Sequence, residues 1–74
     1  MFNKLFEALV KMSGGEFESF LTQYFTIEFG ESCEIWKKRF TTGSQVYMAY
    51  QFCNFVEKQF GEDGLKALVN YLDC

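Results

Sequence analysis

Glu28, Glu31 and Glu34 recur at every third position around Gly30, and Glu62 and Asp63 directly follow Gly61. Paired carboxylates are the raw material of general acid–base catalysis or of a hard-cation site. The stretch around Gly30 has no D-x-D-x-D-G ladder of ligands, which argues against calcium. Solvated loop charge, with some acids suiting helix N-termini, accounts for these residues. Three cysteines, Cys33, Cys53 and Cys74, stand twenty and twenty-one residues apart. That spacing fits neither a disulfide framework nor a zinc site, which needs close pairs and a fourth ligand. Cys33 and Cys53 read as small buried apolar side chains.

The chain has no histidine. Cys–His and Ser–His nucleophile systems are therefore excluded, and no motif sets a lysine or carboxylate beside a serine or cysteine. Ser13-Gly14-Gly15 is too short for a phosphate loop and lacks its lysine. No catalytic, cofactor-binding or metal-ligating residue is assigned, and an enzyme is not expected.

Seven basic against ten acidic residues give a net charge of −3 and a pI near 4.8. A phosphate-tracking domain is usually strongly basic. The one basic run, Lys37-Lys38-Arg39, sends successive side chains ~100° apart on a helix, so it wraps the helix and does not pave one face. A small helical nucleic-acid regulator using Lys37, Lys38 and Arg39 is the alternative reading, and nucleic acid is not the expected partner.

The elements that position these residues are marked by six glycines, at 14, 15, 30, 43, 61 and 64. Each falls where helical apolar periodicity breaks, where glycine is far cheaper than in a helix interior. In the first segment Phe2, Leu5, Phe6, Leu9 and Val10 share a face, opposite Lys4, Glu7 and Lys11. The second opens on the S-x-x-E capping signature Ser13–Glu16 and continues with Phe17, Phe20, Leu21 and Tyr24 at i, i+3, i+4 and i+7. Residues 24–29 mix β-branched and aromatic with polar positions, and helix is expected through about Ile27. Ser32 introduces a third segment carrying Cys33, Trp36 and Phe40 on one side.

The fourth segment, residues 45–60, is the longest and most apolar. Val46, Ala49, Tyr50, Cys53, Val56 and Phe60 form its expected main stripe, and Met48, Phe52 and Phe55 extend the apolar surface around a second side. A helix apolar over most of its circumference belongs in the middle of a bundle or under a partner. Gly61 ends it, and Leu65, Leu68, Val69 and Leu72 form the last stripe. The expected architecture is one all-α domain spanning residues 1–74, a compact bundle of about five short helices around a central fourth.

Aromatic residues make up 20 % of the chain: ten Phe, four Tyr and one Trp. A chain this short buries only about 60 % of its unfolded surface, so part of that apolar area stays outside. Interface cores are enriched in aromatic residues. Residues off the expected stripes are the candidate partner-binding set: Phe25 and Phe29 on the second helix, Tyr47, Met48, Phe52 and Phe55 on the fourth, and Tyr71 on the last. Glu28, Glu31 and Glu34 supply an acidic rim. The expected function is a non-enzymatic protein–protein interaction module, a small acidic stoichiometric inhibitor or adaptor occupying a partner's surface. Size and composition suit the inhibitors that phages and other mobile elements direct against host defence systems or nucleases, an analogy only. A homodimer seam or structural homo-oligomer is the remaining alternative.

Lys4, Glu7 and Lys11 interrupt the first apolar segment, so it does not read as a secretory signal. No apolar run reaches the ~18 residues of a membrane span. Unpaired cysteines then point to a reducing, cytoplasmic compartment.

Overall fold

The chain is described here by a computed structural model covering residues 1–30, 38, 40 and 43–73. Its regular elements are three α-helices: α1 (Phe2–Lys11), α2 (Gly14–Phe29) and α3 (Gln45–Asp73). The all-α class is as expected, whereas the five helices expected become three among the described residues. Apart from exposed Lys38 and buried Phe40, the expected third segment lies outside the described residues, as does Cys74. The expected fourth and fifth segments form one element, α3, with non-helical backbone inside it at Gly61.

α1 forms because its apolar residues fall on one side. Leu5 and Leu9 are fully buried, and Phe2, Phe6 and Val10 pack against the core beside them. The helix stops at Met12, whose backbone is extended. Its freed carbonyls are taken up from another element: the Gln45 side-chain amide donates to Leu9 O at 3.0 Å and to Met12 O at 2.8 Å. This ties the start of α3 to the end of α1, and α1 lies closely along α3.

α2 begins on the capping box expected from sequence. Glu16 N–H donates to Ser13 Oγ at 3.2 Å, and Ser13 N–H donates to Glu16 Oε1 at 3.4 Å. Phe17, Phe20, Leu21 and Tyr24 are all buried, as their spacing indicates. The helix runs two residues past Ile27, to Phe29. Burial of Phe25 and packing of Phe29 outweigh the weak local preference of β-branched and aromatic residues for extended backbone. Gly30 then ends it in the left-handed conformation (φ 66°, ψ 21°), donating to Phe25 O and Thr26 O.

α3 starts on Ser44, whose Oγ accepts from Tyr47 N–H at 3.2 Å. Its 29 residues would stretch about 43 Å as a straight rod, yet the molecule measures 26 × 24 × 22 Å. The helix must therefore turn, and it does so at Gly61. There φ 70° and ψ −160° lie in a region open essentially to glycine alone. Gly64 serves the same turn differently: a Cβ added there would overlap Phe60 Cβ and lie 3.4 Å from Val56 Cγ1. Beyond the turn Leu65 and Val69 are buried, with Leu68 and Leu72 packed beside them.

Phe52 holds the layers together. It is fully buried and meets Tyr24 at 5.0 Å, Phe20 at 5.7 Å, Phe25 at 6.1 Å and Phe40 at 6.1 Å between ring centroids, all close to edge-on. Edge-to-face pairs match the positive rim of one ring to the negative face of the next, worth ~0.5–1.5 kcal/mol each beyond burial.

The turn in α3 makes a prediction about three glycines. Gly61→Ala should cost ~1–3 kcal/mol from its backbone conformation alone, since nothing lies within 4 Å of the new Cβ. Gly64→Ala should cost ~1–3 kcal/mol by overpacking. Gly14→Ala, in open space with ordinary φ, should be neutral or slightly stabilising. Thermal melts followed by circular dichroism would separate them, at ~4–8 °C per kcal/mol for so small a domain. A Gly61→Ala variant melting with the parent would contradict the turn.

Candidate functional site

Little of the chemistry considered from sequence finds a setting. Glu28, Glu62 and Asp63 are all exposed, and Glu31 and Glu34 lie outside the described residues. Among the described residues no three His, Cys, Asp or Glu side chains gather in a group able to hold a metal ion. Cys53 is a free, fully buried thiol; burial, and secondarily the charge of Glu57, push its pKa up to about 12. It is a packing group, and Cys33 lies outside the described residues. Of the basic run only Lys38, exposed, is described; Lys37 and Arg39 are not. Among the described residues no helix is long and apolar enough to cross a membrane.

The candidate partner-binding residues divide by burial. Phe25 and Phe52 are corrected: both are 0 % exposed and belong to the core, so neither can meet a partner. Phe29, Met48 and Phe55 are partly buried and packed on that core. Tyr47, Tyr71 and Glu28 face solvent.

Besides the terminal Met1, four exposed large apolar residues fall outside the expected surface set: Val46, Tyr50 and Phe60, expected in the core stripe, and Ile27, expected at a helix end. Ala49, Cys53 and Val56 are buried as expected. The remainder of the stripe is rotated, bringing Phe52 inward and turning Val46, Tyr50 and Phe60 out. A helix apolar on most sides satisfies helical spacing in several rotations, and the rings of α2 select this one. Tyr50 is half-exposed but anchored, its ring edge-on to Phe2 at 5.7 Å and Phe6 at 6.4 Å.

Tyr47 lies elsewhere, beside Phe40 and Tyr50, whereas Ile27, Phe60 and Tyr71 line one surface. Between α2 and the part of α3 beyond Gly61 runs a groove. Its deeper end, about 180 Å³, is walled by Phe20, Ile27, Leu68 and Tyr71, with Tyr24 and Glu28. It continues past Tyr24, Glu28 and Leu68 into an open stretch bordered by Phe60, Asp63, Gly64 and Ala67. Gly64 contributes by having no side chain there. Ile27 at 74 % and Tyr71 at 57 % are the two most exposed large apolar residues described, and both line this groove together with Phe60 at 46 %.

Tyr24 belongs to both stretches of the groove. The residue is only 8 % exposed, and its hydroxyl oxygen is buried with no hydrogen-bond partner among the described residues. Burial, and secondarily the Glu28 carboxylate one helical turn on, push its pKa up to about 12. The hydroxyl therefore stays protonated at neutral pH, able both to donate and to accept. An unsatisfied buried hydroxyl is costly and native structures carry few.

The two raised pKa values predict an alkaline limit to stability. A group that holds its proton more tightly when folded stabilises fully below its unfolded pKa and loses that contribution as pH climbs to its folded one. Stability should therefore be flat through neutrality and fall from about pH 9, where an unfolded cysteine ionises, to about pH 12, with Tyr24 adding from about pH 10. Urea titrations from pH 7 to 11 on the parent and on Cys53→Ala check this: the variant should lose the early part of the decline. An identical decline in both would contradict burial of the thiol. Comparison with known family models, curated proteins and solved structures finds no match to this chain.

Proposed function

We propose that the chain is a non-enzymatic protein–protein interaction module that binds its partner in the groove between α2 and the terminal part of α3. The observation that carries this reading is the convergence of Ile27, Phe60 and Tyr71 on one concave, apolar site. Exposed apolar groups scattered singly need no explanation, but gathered around a groove they mark contact sites. Tyrosine is also among the residues that dominate binding energy when a partner desolvates them.

Of the residues singled out by sequence, Tyr71 and Glu28 belong to this surface; Ile27 and Phe60 take the roles expected of Phe25 and Phe52. Such a module acts by occupancy. It covers part of its partner as a small acidic inhibitor or bridges two partners as an adaptor, in a reducing, cytoplasmic setting suited to the free thiol of Cys53. The absence of histidine and the buried, protonated thiol support a role without covalent chemistry. The net charge of −3 favours a protein partner over nucleic acid.

Paired substitutions on two faces test the reading. The tagged chain is used to recover its partner from native cells, and the affinity of that complex is then measured with purified proteins. Ile27→Ser with Tyr71→Ser should weaken binding at least ~30-fold, the ~2 kcal/mol of a hot spot. Helix content and melting temperature should hold, because both side chains are exposed. Val46→Ser with Tyr47→Ser should bind like the parent. The reverse pattern would place the interface on the start of α3. A steep fall with added salt, near −0.9 in log–log slope per phosphate contact, would instead reveal a nucleic-acid partner.

A further inference from the structure

We propose that the groove's occupant is a basic amphipathic helix of another protein, seating apolar side chains against Phe20, Leu68 and Tyr71 and an arginine or lysine between Glu28 and Asp63, over the Tyr24 hydroxyl. This rests on the groove being the binding surface and adds the chemistry of what fills it. Three observations lead there.

The first is charge. The ionisable side chains that line the groove, besides the tyrosines, are Glu28 and Asp63, with no lysine or arginine among its lining residues. Two carboxylates bordering an apolar floor repel an acidic ligand and attract a cationic one, and complementary charge of this kind sets specificity and encounter rate.

The second is the orphaned hydroxyl. Tyr24 Oη is buried without a partner among the described residues, and Tyr24 lines the same stretch that Glu28 and Asp63 border. The oxygen is closed to solvent in the free chain, so a guanidinium or ammonium reaches it as the Tyr24 ring turns toward the groove, offering the donor it lacks while the two acids answer the charge. Phe60 borders the same stretch as Glu28 and Asp63 and supplies an aromatic ring for a cation–π attraction, which arginine forms more often than lysine.

The third is size. The deep end of the groove, about 180 Å³, falls below the ~300–1,000 Å³ usual for small-molecule sites. That end accommodates individual side chains, and the open stretch that continues it, about 370 Å³, lengthens the site into a trough between two helices. A groove between two helices, apolar along its floor and charged at its edge, suits an amphipathic helix whose anchors recur at i, i+3, i+4 and i+7.

Selection from displayed helical peptides of about four turns tests this directly and needs no identified partner. The apolar anchor positions are fixed, the flanking positions are fully randomised, and the purified chain is the bait. Arginine and lysine should be enriched at the flanks over aspartate and glutamate by roughly tenfold, as expected where one charge-assisted hydrogen bond decides binding. A selected peptide, followed by fluorescence anisotropy, should lose roughly tenfold in affinity with Tyr24→Phe, and similarly with Glu28→Gln combined with Asp63→Asn. Tyr24→Phe is diagnostic because a merely structural role predicts equal or greater stability once an unpaired hydroxyl is removed, with affinity unchanged. Neutral or acidic flanks on peptides that still require Ile27 and Tyr71 would overturn the basic occupant while leaving the interaction module standing. Peptides indifferent to Ile27 and Tyr71, or none selected, would overturn both. Binding of free arginine or an alkylammonium as tight as that of the peptide would overturn the helix in favour of a small organic cation.

Discussion

The edge-on packing of Phe52 against Phe20, Tyr24 and Phe25 determines how α2 lies on α3, and the rest of the molecule follows from that placement. Residues 45–60 carry apolar side chains around most of the helix, so many rotations of it would bury comparable area. Burial is non-directional, whereas ring geometry is not. Once Phe52 points into the rings of α2, Ala49, Cys53 and Val56 are carried inward beside it, and Val46, Tyr50 and Phe60 are carried out. The exposed apolar surface is thus a consequence of core packing, with Phe60 left at the groove's edge and Tyr50 left to cover Phe2 and Phe6.

The second constraint is the turn at Gly61. Without it α3 would overrun the molecule, and the stripe of Leu65, Leu68, Val69 and Leu72 would have no core to meet. With it, the terminal part of α3 folds back beside α2, and the space between them becomes a groove. Gly64 sits in both arguments, since it allows the close approach to Phe60 and Val56 and also leaves the groove open. Polar ties fix the ends of the helices. The Gln45 amide closes the exposed carbonyl end of α1, and the capping box of Ser13 and Glu16 sets where α2 begins.

How much of this is legible in the sequence depends on how one-sided each helix is. α1 and the first turns of α2 have one apolar face, so spacing alone places Leu5, Leu9, Phe17, Phe20, Leu21 and Tyr24 inside. The capping box and the role of Gly30 are equally local, and equally readable. Phe25 and Phe52 escape such a reading because each belongs to a helix with apolar residues on more than one side. Only contact across helices settles which of those sides is buried. For the candidate surface, Glu28 and Tyr71 are within reach of the sequence. Ile27 and Phe60 are not, because their exposure depends on the length of α2 and on the direction α3 takes after Gly61. The merging of two expected helices has the same root: a glycine break marks a change of direction without saying whether a loop or a single residue makes it.

Which rings point inward decides whether the groove exists. Aromatic and methyl NMR signals recorded with a soluble paramagnetic probe report this residue by residue. The resonances of Ile27, Phe60 and Tyr71 should be strongly broadened, while those of Phe25 and Phe52 remain sharp and Tyr24 is affected only weakly. Broadening of Phe52 together with protection of Tyr50 and Phe60 would mean that α3 is rotated the other way, and the groove with its buried hydroxyl would not exist.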